Sequence, residues 1–270
     1  MSGIFRDKAS IEYTVSGKGD TTLLFVHGSY CDQSYWKRQV EDFQPDYQVV
    51  TLDLPGHGKS GKGREIWSVQ GFAEDVSAVI RELRSDNIIL IGHSLAGDIN
   101  LIAATLHPES IIGFIGIDNF KNAATPLPEE YREQSEAILE NLKTDFAGTN
   151  ERYARMALLT PETPPEITDR VVEDFRNGYQ PMGLGIMPEV FAMYRLEKEL
   201  LPLLQTRLDL INVEYIPTNE EPLKRYAGSG YEVVRIAGTC HYPMLENPEA
   251  LNAALGQVIR KITHSRAAFA

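Results

Sequence analysis

The sequence predicts an α/β fold with a mostly parallel central sheet flanked by helices, and three observations carry that prediction. Short apolar runs of strand length alternate with helical patterns along most of the chain. Several of those runs, such as Leu23-Leu24-Phe25-Val26 and Ile88-Ile89-Leu90-Ile91, are apolar throughout, as strands covered on both faces must be. The second run breaks at Gly92-His93-Ser94-Leu95-Ala96-Gly97 and continues as a helix, the pattern of a sharp strand-to-helix elbow that lifts Ser94 above the sheet edge. Small residues let strand and helix close on each other, and Gly92, Ala96 and Gly97 supply them. Ala96 stands where such elbows usually carry glycine, but it is still small.

The elements follow in order. Residues 10–16 alternate polar and apolar, as a half-exposed edge strand opening the sheet would. Residues 21–26 form a buried strand ending in His27-Gly28-Ser29-Tyr30, where glycine lets the backbone turn its amides toward a ligand, so the Ser29 N–H is a candidate oxyanion donor. A helical stretch over 36–43 and a strand over 47–52 lead into Asp53-Leu54-Pro55-Gly56-His57-Gly58-Lys59-Ser60, a loop dense in turn formers. Residues 68–84 place Phe72, Val76, Val79, Ile80 and Leu83 on one helical face and lead to the elbow strand. The elbow helix ends at His107-Pro108, and 111–117 is a further buried strand closed by Asp118-Asn119. From 121 to 204 the pattern is helical and broken by prolines, which predicts an inserted helical cap between core segments 1–120 and 205–270. Strands return at 208–213 and 231–236, and Asn247-Pro248-Glu249 reads as the capped start of a closing helix that ends near His264.

Composition narrows the function. The chain has 270 residues, enough for one large domain or a domain with an insertion, and a net charge of −12 without a basic stripe, which argues against nucleic acid and anionic lipid as partners. No eighteen-residue apolar run suggests a membrane span, and residues 1–8 lack an apolar leader, so a cytoplasmic protein is expected. Cys31 and Cys240 are read as free thiols, although the fold would bring both to one rim, and six scattered histidines offer no metal cage. Neither metal nor cofactor is expected, and a homodimer is left open.

Four stretches in order, His27-Gly28, Asp53 to Ser60, Gly92 to Gly97, and Cys240-His241 followed by Glu246-Asn247-Pro248, resemble the alpha/beta-hydrolase superfamily. Within it they are similar to the lid-bearing branch of esterases, lactonases, C–C hydrolases and cofactor-free haloperoxidases. The resemblance implies Ser94 as nucleophile and His241 as its base, in the family's order. The chemistry agrees, because a serine hydroxyl needs a positioned base, and the backbone amides of Ser29 and Leu95 would stabilise the oxyanion. His27, His57, His93 and Asp53 read as loop organisers, and Asp98 as a first-turn charge favourable to the helix dipole.

The triad acid departs from the family pattern. Relatives usually carry an aspartate after the penultimate core strand, where this chain reads Val213-Glu214-Tyr215-Ile216. Asp118, at the end of the strand after the elbow strand, is the first choice, as in haloalkane dehalogenases; Glu214 is the alternative, with Glu220 or Glu221 behind it. Tyr30, Leu184, Met187 and Phe191 are expected to line an apolar substrate pocket, although cap packing explains such side chains equally well. The expected function is a serine hydrolase acting on a small or medium apolar ester, thioester or lactone as its small-molecule partner. The alternatives are a haloperoxidase, a C–C hydrolase, an acyltransferase, or a non-hydrolytic receptor of the same fold.

Overall fold

A computed structural model describes residues 2–267. Its strands are β1 (Ser2–Arg6), β2 (Ala9–Ser16), β3 (Thr22–Val26), β4 (Gln48–Leu52), β5 (Ile88–His93), β6 (Ile111–Ile117), β7 (Leu208–Val213) and β8 (Tyr231–Ile236). They form one sheet in the order β1-β2-β4-β3-β5-β6-β7-β8. The pairs β1/β2 and β2/β4 are antiparallel and the rest parallel. Strand order therefore reverses between β3 and β5, the place where an open parallel sheet leaves a crevice at its carboxyl edge. Val26 lies opposite Gly92, and Gly92 opposite Gly116, so the loops after β3, β5 and β6 emerge side by side. Burial follows the apolar runs: Leu23, Leu24, Phe25, Val26 and Ile88 to Ile91 are fully buried. Each such side chain contributes about 1.5–3 kcal/mol relative to exposure.

One expectation is corrected. Residues 10–16 do not open the sheet; β1 does, folding back on β2 through Asp7 and Lys8, whose φ values of 46° and 61° are those of a tight hairpin turn. Burial did not announce this strand, because β1 is largely exposed. It is held instead by charge, with Arg6 donating to Asp75 at 2.7 Å, a carboxylate that also accepts from the buried Arg64 at 2.7 Å.

A 3-10 turn, Gln33–Trp36, precedes helix α1 (Lys37–Phe43). Helix α2 (Val69–Leu83) is capped by the Ser68 hydroxyl, which accepts from the Gly71 amide at 3.0 Å. Helix α3 (Ala96–Leu106) leaves the elbow. Between β6 and β7 the secondary structure is helical: α4 (Glu129–Thr144), α5 (Phe146–Tyr153), α6 (Pro165–Arg176), α7 (Gln180–Val190) and α8 (Tyr194–Leu200). A π-helical turn, Ala154–Leu158, continues α5. Helices α9 (Glu221–Tyr226), α10 (Pro243–Glu246) and α11 (Pro248–Ala267) complete the core, with the Asn247 side chain accepting from the Ala250 amide at 3.1 Å. Among the described residues no helix is long and apolar enough to cross a membrane.

Candidate active site

Ser94 follows β5 with φ 54°, a left-handed conformation that costs a non-glycine residue about 1–3 kcal/mol and is held only by its surroundings. Two backbone bonds hold it: the Ser94 amide donates to Ile117 O at 3.0 Å, and Gly97 N donates to Ser94 O at 2.8 Å. The neighbouring glycines are required by contact. A Cβ on Gly92 would stand 2.5 Å from Ala96 O, and one on Gly28 would stand 2.9 Å from His93 Nδ1 and 3.1 Å from Ser94 Cβ. The Asn119 amide group packs against Gly97 and Gly116 and donates to Gly92 O at 3.2 Å, tying β6 to the elbow.

The loop after β8 brings His241 to the same edge, and the segment leaving β6 brings Asp118, itself at φ 48°. His241 Nδ1 and Asp118 Oδ2 are 2.5 Å apart. The other carboxylate oxygen meets Lys121 Nζ at 2.6 Å and the Val213 amide at 3.3 Å. Burial alone would raise the Asp118 carboxyl, but His241 and Lys121 outweigh it and hold the group below the usual carboxylate range. The His241 loop is braced by its own backbone: its carbonyl accepts from His93 Nε2 at 2.8 Å, and its amide donates to Leu158 O at 3.3 Å. Burial pushes His93 down to about 3, so it stays neutral and serves as this brace.

Ser94 and His241 line one cavity of about 40 Å³ without a hydrogen bond closed between them, together with Ser29, Leu95, Tyr153, Leu158, Phe175, Met187, Val190 and Tyr242. Serine and base often tighten only around substrate. Among the described residues neither the Ser29 nor the Leu95 amide is taken by a hydrogen bond within the protein. A far larger groove, about 720 Å³ between α1 and α11, contains no residue of this cluster.

Of the pocket residues expected from sequence, Met187 lines the cavity. Leu184 does not: α7 turns Met182, Gly183, Ile186 and Met187 inward, and the 3.6-residue period then leaves Leu184 at the surface, 36% exposed. Phe191 is not on the wall but packs edge-on against Tyr153, which is. Tyr30 is buried against Phe175 and lines a separate cavity of about 130 Å³ with His57, Lys62 and Asp174. Glu214 is exposed, Glu220 binds Arg235 and Glu221 binds Lys224, so among the described residues none of these three carboxylates is paired with His241. Cys31 and Cys240 are both free and buried.

A model of the alpha/beta hydrolase fold family matches residues 21–159, just over half of the chain. The chain belongs to the alpha/beta-hydrolase family. It is 28% identical over 158 residues to the karrikin insensitive 2 receptor IA of Petunia hybrida, covering 56% of this chain and 58% of that one. It is 26% identical over 186 residues to the 2-(acetamidomethylene)succinate hydrolase of Mesorhizobium japonicum, covering 67% of this chain and 63% of that one. The matches thus span less than two thirds of either relative. A solved thermophilic esterase from Thermogutta terrifontis superimposes with a TM-score of 0.78 at 21% identity, over 94% of both chains.

Sequence reasoning passed over several residues that this alpha/beta hydrolase gathers at the site: Tyr153, Leu158, Phe175 and Val190 from the helical insertion, Lys121 at its first position, and Tyr242 and Tyr215 from the core. Tyr215 alone carried a signal, since it lies in the stretch where relatives place their acid; its hydroxyl is 3.4 Å from His241 Nδ1.

Proposed function

We propose that this alpha/beta hydrolase is a serine hydrolase cleaving a small or medium apolar carboxylic ester, thioester or lactone through an acyl-enzyme. The 2.5 Å contact between Asp118 and His241, in a site that also holds a serine in the elbow conformation, carries the reading. Ser94 Oγ attacks the substrate carbonyl while His241 Nε2 takes its proton, and the amides of Ser29 and Leu95 receive the oxyanion. Collapse returns that proton to the leaving oxygen or sulfur, leaving Ser94 acylated. Water then repeats the two steps and frees the acid. Asp118 fixes the tautomer and stabilises the imidazolium formed at each attack. Leu158, Phe175, Met187 and Val190 favour an apolar acyl group. A cavity of about 40 Å³ is far smaller than the roughly 300–1,000 Å³ of a pocket that holds a small-molecule ligand, so residues 121–204 act as a cap that must shift to admit substrate. Ser94→Ala tests the reading: labelling by a serine-directed fluorophosphonate and turnover of short acyl esters should both vanish with folding intact, and full labelling of the variant would contradict it.

The tight cavity and the likeness to a protein named as a receptor favour one second reading, a ligand receptor that keeps the triad and turns over negligibly. Multiple-turnover kinetics on a chromogenic ester panel separates the two: product beyond one equivalent per chain supports the hydrolase, and a burst that stops at one equivalent supports the receptor.

A further inference from the structure

Lys121 lies outside every sequence motif and outside the cavity wall, three residues after Asp118. Its side chain is 14% exposed, and its ammonium meets Asp118 Oδ1 at 2.6 Å, the Val213 carbonyl at 2.9 Å and the face of Tyr215, 4.2 Å from the ring centroid. A tie between the ends of β6 and β7 needs only the Val213 bond. The charge instead engages the carboxylate oxygen that His241 leaves free, so Asp118 is gripped from both sides. The Tyr215 hydroxyl, 3.4 Å from His241 Nδ1, closes the cluster over the cation.

We propose that Lys121 is a positioning residue of the triad: it clamps Asp118 so that Oδ2 faces His241, and its charge sets the pH above which the hydrolase gains activity. This rests on the reading of Ser94, His241 and Asp118 given above. The imidazolium formed during attack is favoured by Asp118 and opposed by the ammonium across the same carboxylate. At a separation on the order of 7 Å and an effective dielectric between that of a protein surface and that of water, that opposition moves a titration by about one pH unit. The other groups facing His241 do not supply this charge. His93 is 4.6 Å away between ring centroids and is kept neutral by burial, while Tyr242, at 5.1 Å, and Tyr215 both have their hydroxyls pushed up by burial.

The test uses the full chain as wild type, Lys121→Met and Lys121→Arg. The acid limb of kcat/KM on a short chromogenic ester should move up by about one pH unit in Lys121→Met and return in Lys121→Arg. The midpoint of the His241 ring-proton NMR signals should move with it. Lys121→Gln replaces Lys121→Met if that variant does not fold. An unmoved limb and an unmoved NMR midpoint in a folded neutral variant would overturn the proposal and leave Lys121 as a strand tie. The NMR midpoint needs no turnover, so it reads the effect of Lys121 even if Ser94→Ala retains activity and the catalytic reading itself fails.

Discussion

Strand β5 buries every residue from Ile88 to His93, whereas helix α4 of the insertion buries only Ser135 and Leu142 of its sixteen residues. The outer face of α4 is charged, with Arg132 paired to Glu129 and Glu136, and Lys143 to Glu140. Exposed pairs of this kind contribute about 0–1 kcal/mol each, while burial of one β5 side chain contributes more than that alone. The insertion is held to the core mainly where buried groups cross the seam. One such crossing is Glu197 on α8, which accepts from the Ala124 amide at 2.5 Å and whose charge acts on the buried Asp98 in the first turn of α3. In the proposed reading the groups that do chemistry thus stand on the part of the molecule that burial fixes most firmly, and those that choose the substrate stand on the insertion.

That contrast can be broken at graded strength. The largest effect belongs to the sheet edge: Asp118→Asn should lower kcat by about 10⁴-fold, since the amide no longer holds the required tautomer. Glu214→Gln, at an exposed position, should cost less than about tenfold, or 1.4 kcal/mol, in the same assay. Reversal of that order would move the acid to Glu214. Next comes packing, where Ile91→Ala in β5 should lose about 2–5 kcal/mol in denaturant unfolding, while Leu184→Ala on the outer face of α7 should stay within about 0.5 kcal/mol and leave acyl preference unchanged. Met187→Ala enlarges the cavity from the insertion side and should shift preference toward longer acyl chains by about 1–3 kcal/mol per methylene, read as ratios of kcat/KM.

The smallest effect is on pH dependence. Burial, and then Glu197, raises the Asp98 carboxyl well above its ordinary value. Between the ordinary aspartate range and that raised value, the folded chain holds a proton that the unfolded chain has lost, so stability falls as pH rises through the window. Asp98→Asn keeps a donor for Glu197 without a titrating group. Its Tm should decline less than the wild type's over that rise, and parallel declines would show that the pair does not bridge core and insertion in this way.

What could be read from sequence divides along the same line. The strands at 88–93 and 111–117 were legible because burial on both faces writes a nearly unbroken apolar run, whereas 208–213 and 231–236 showed as apolar stretches interrupted by Asp209, Asn212, Glu232 and Arg235, the last strand being only half-buried. Asp118 was nameable because a strand end at a parallel sheet's carboxyl edge is a fixed place. Strand β1 was not legible, since Ser-Gly-Ile-Phe-Arg is short, exposed and held by an ion pair 69 residues away. Leu184 was placed in the pocket because helical phase relative to a distant core is not encoded in one helix. Lys121 and Tyr215 escaped notice because their partners come from different strands and meet only once the sheet is assembled.

In the proposed mechanism Asp118 and His241 act as one unit behind Ser94. A double-mutant cycle on kcat, with Asp118→Asn, His241→Ala and the pair, tests it most directly. The double variant should be no slower than His241→Ala alone, because the acid acts only through the histidine. Multiplied losses in the double variant, each near its single-variant value, would contradict it.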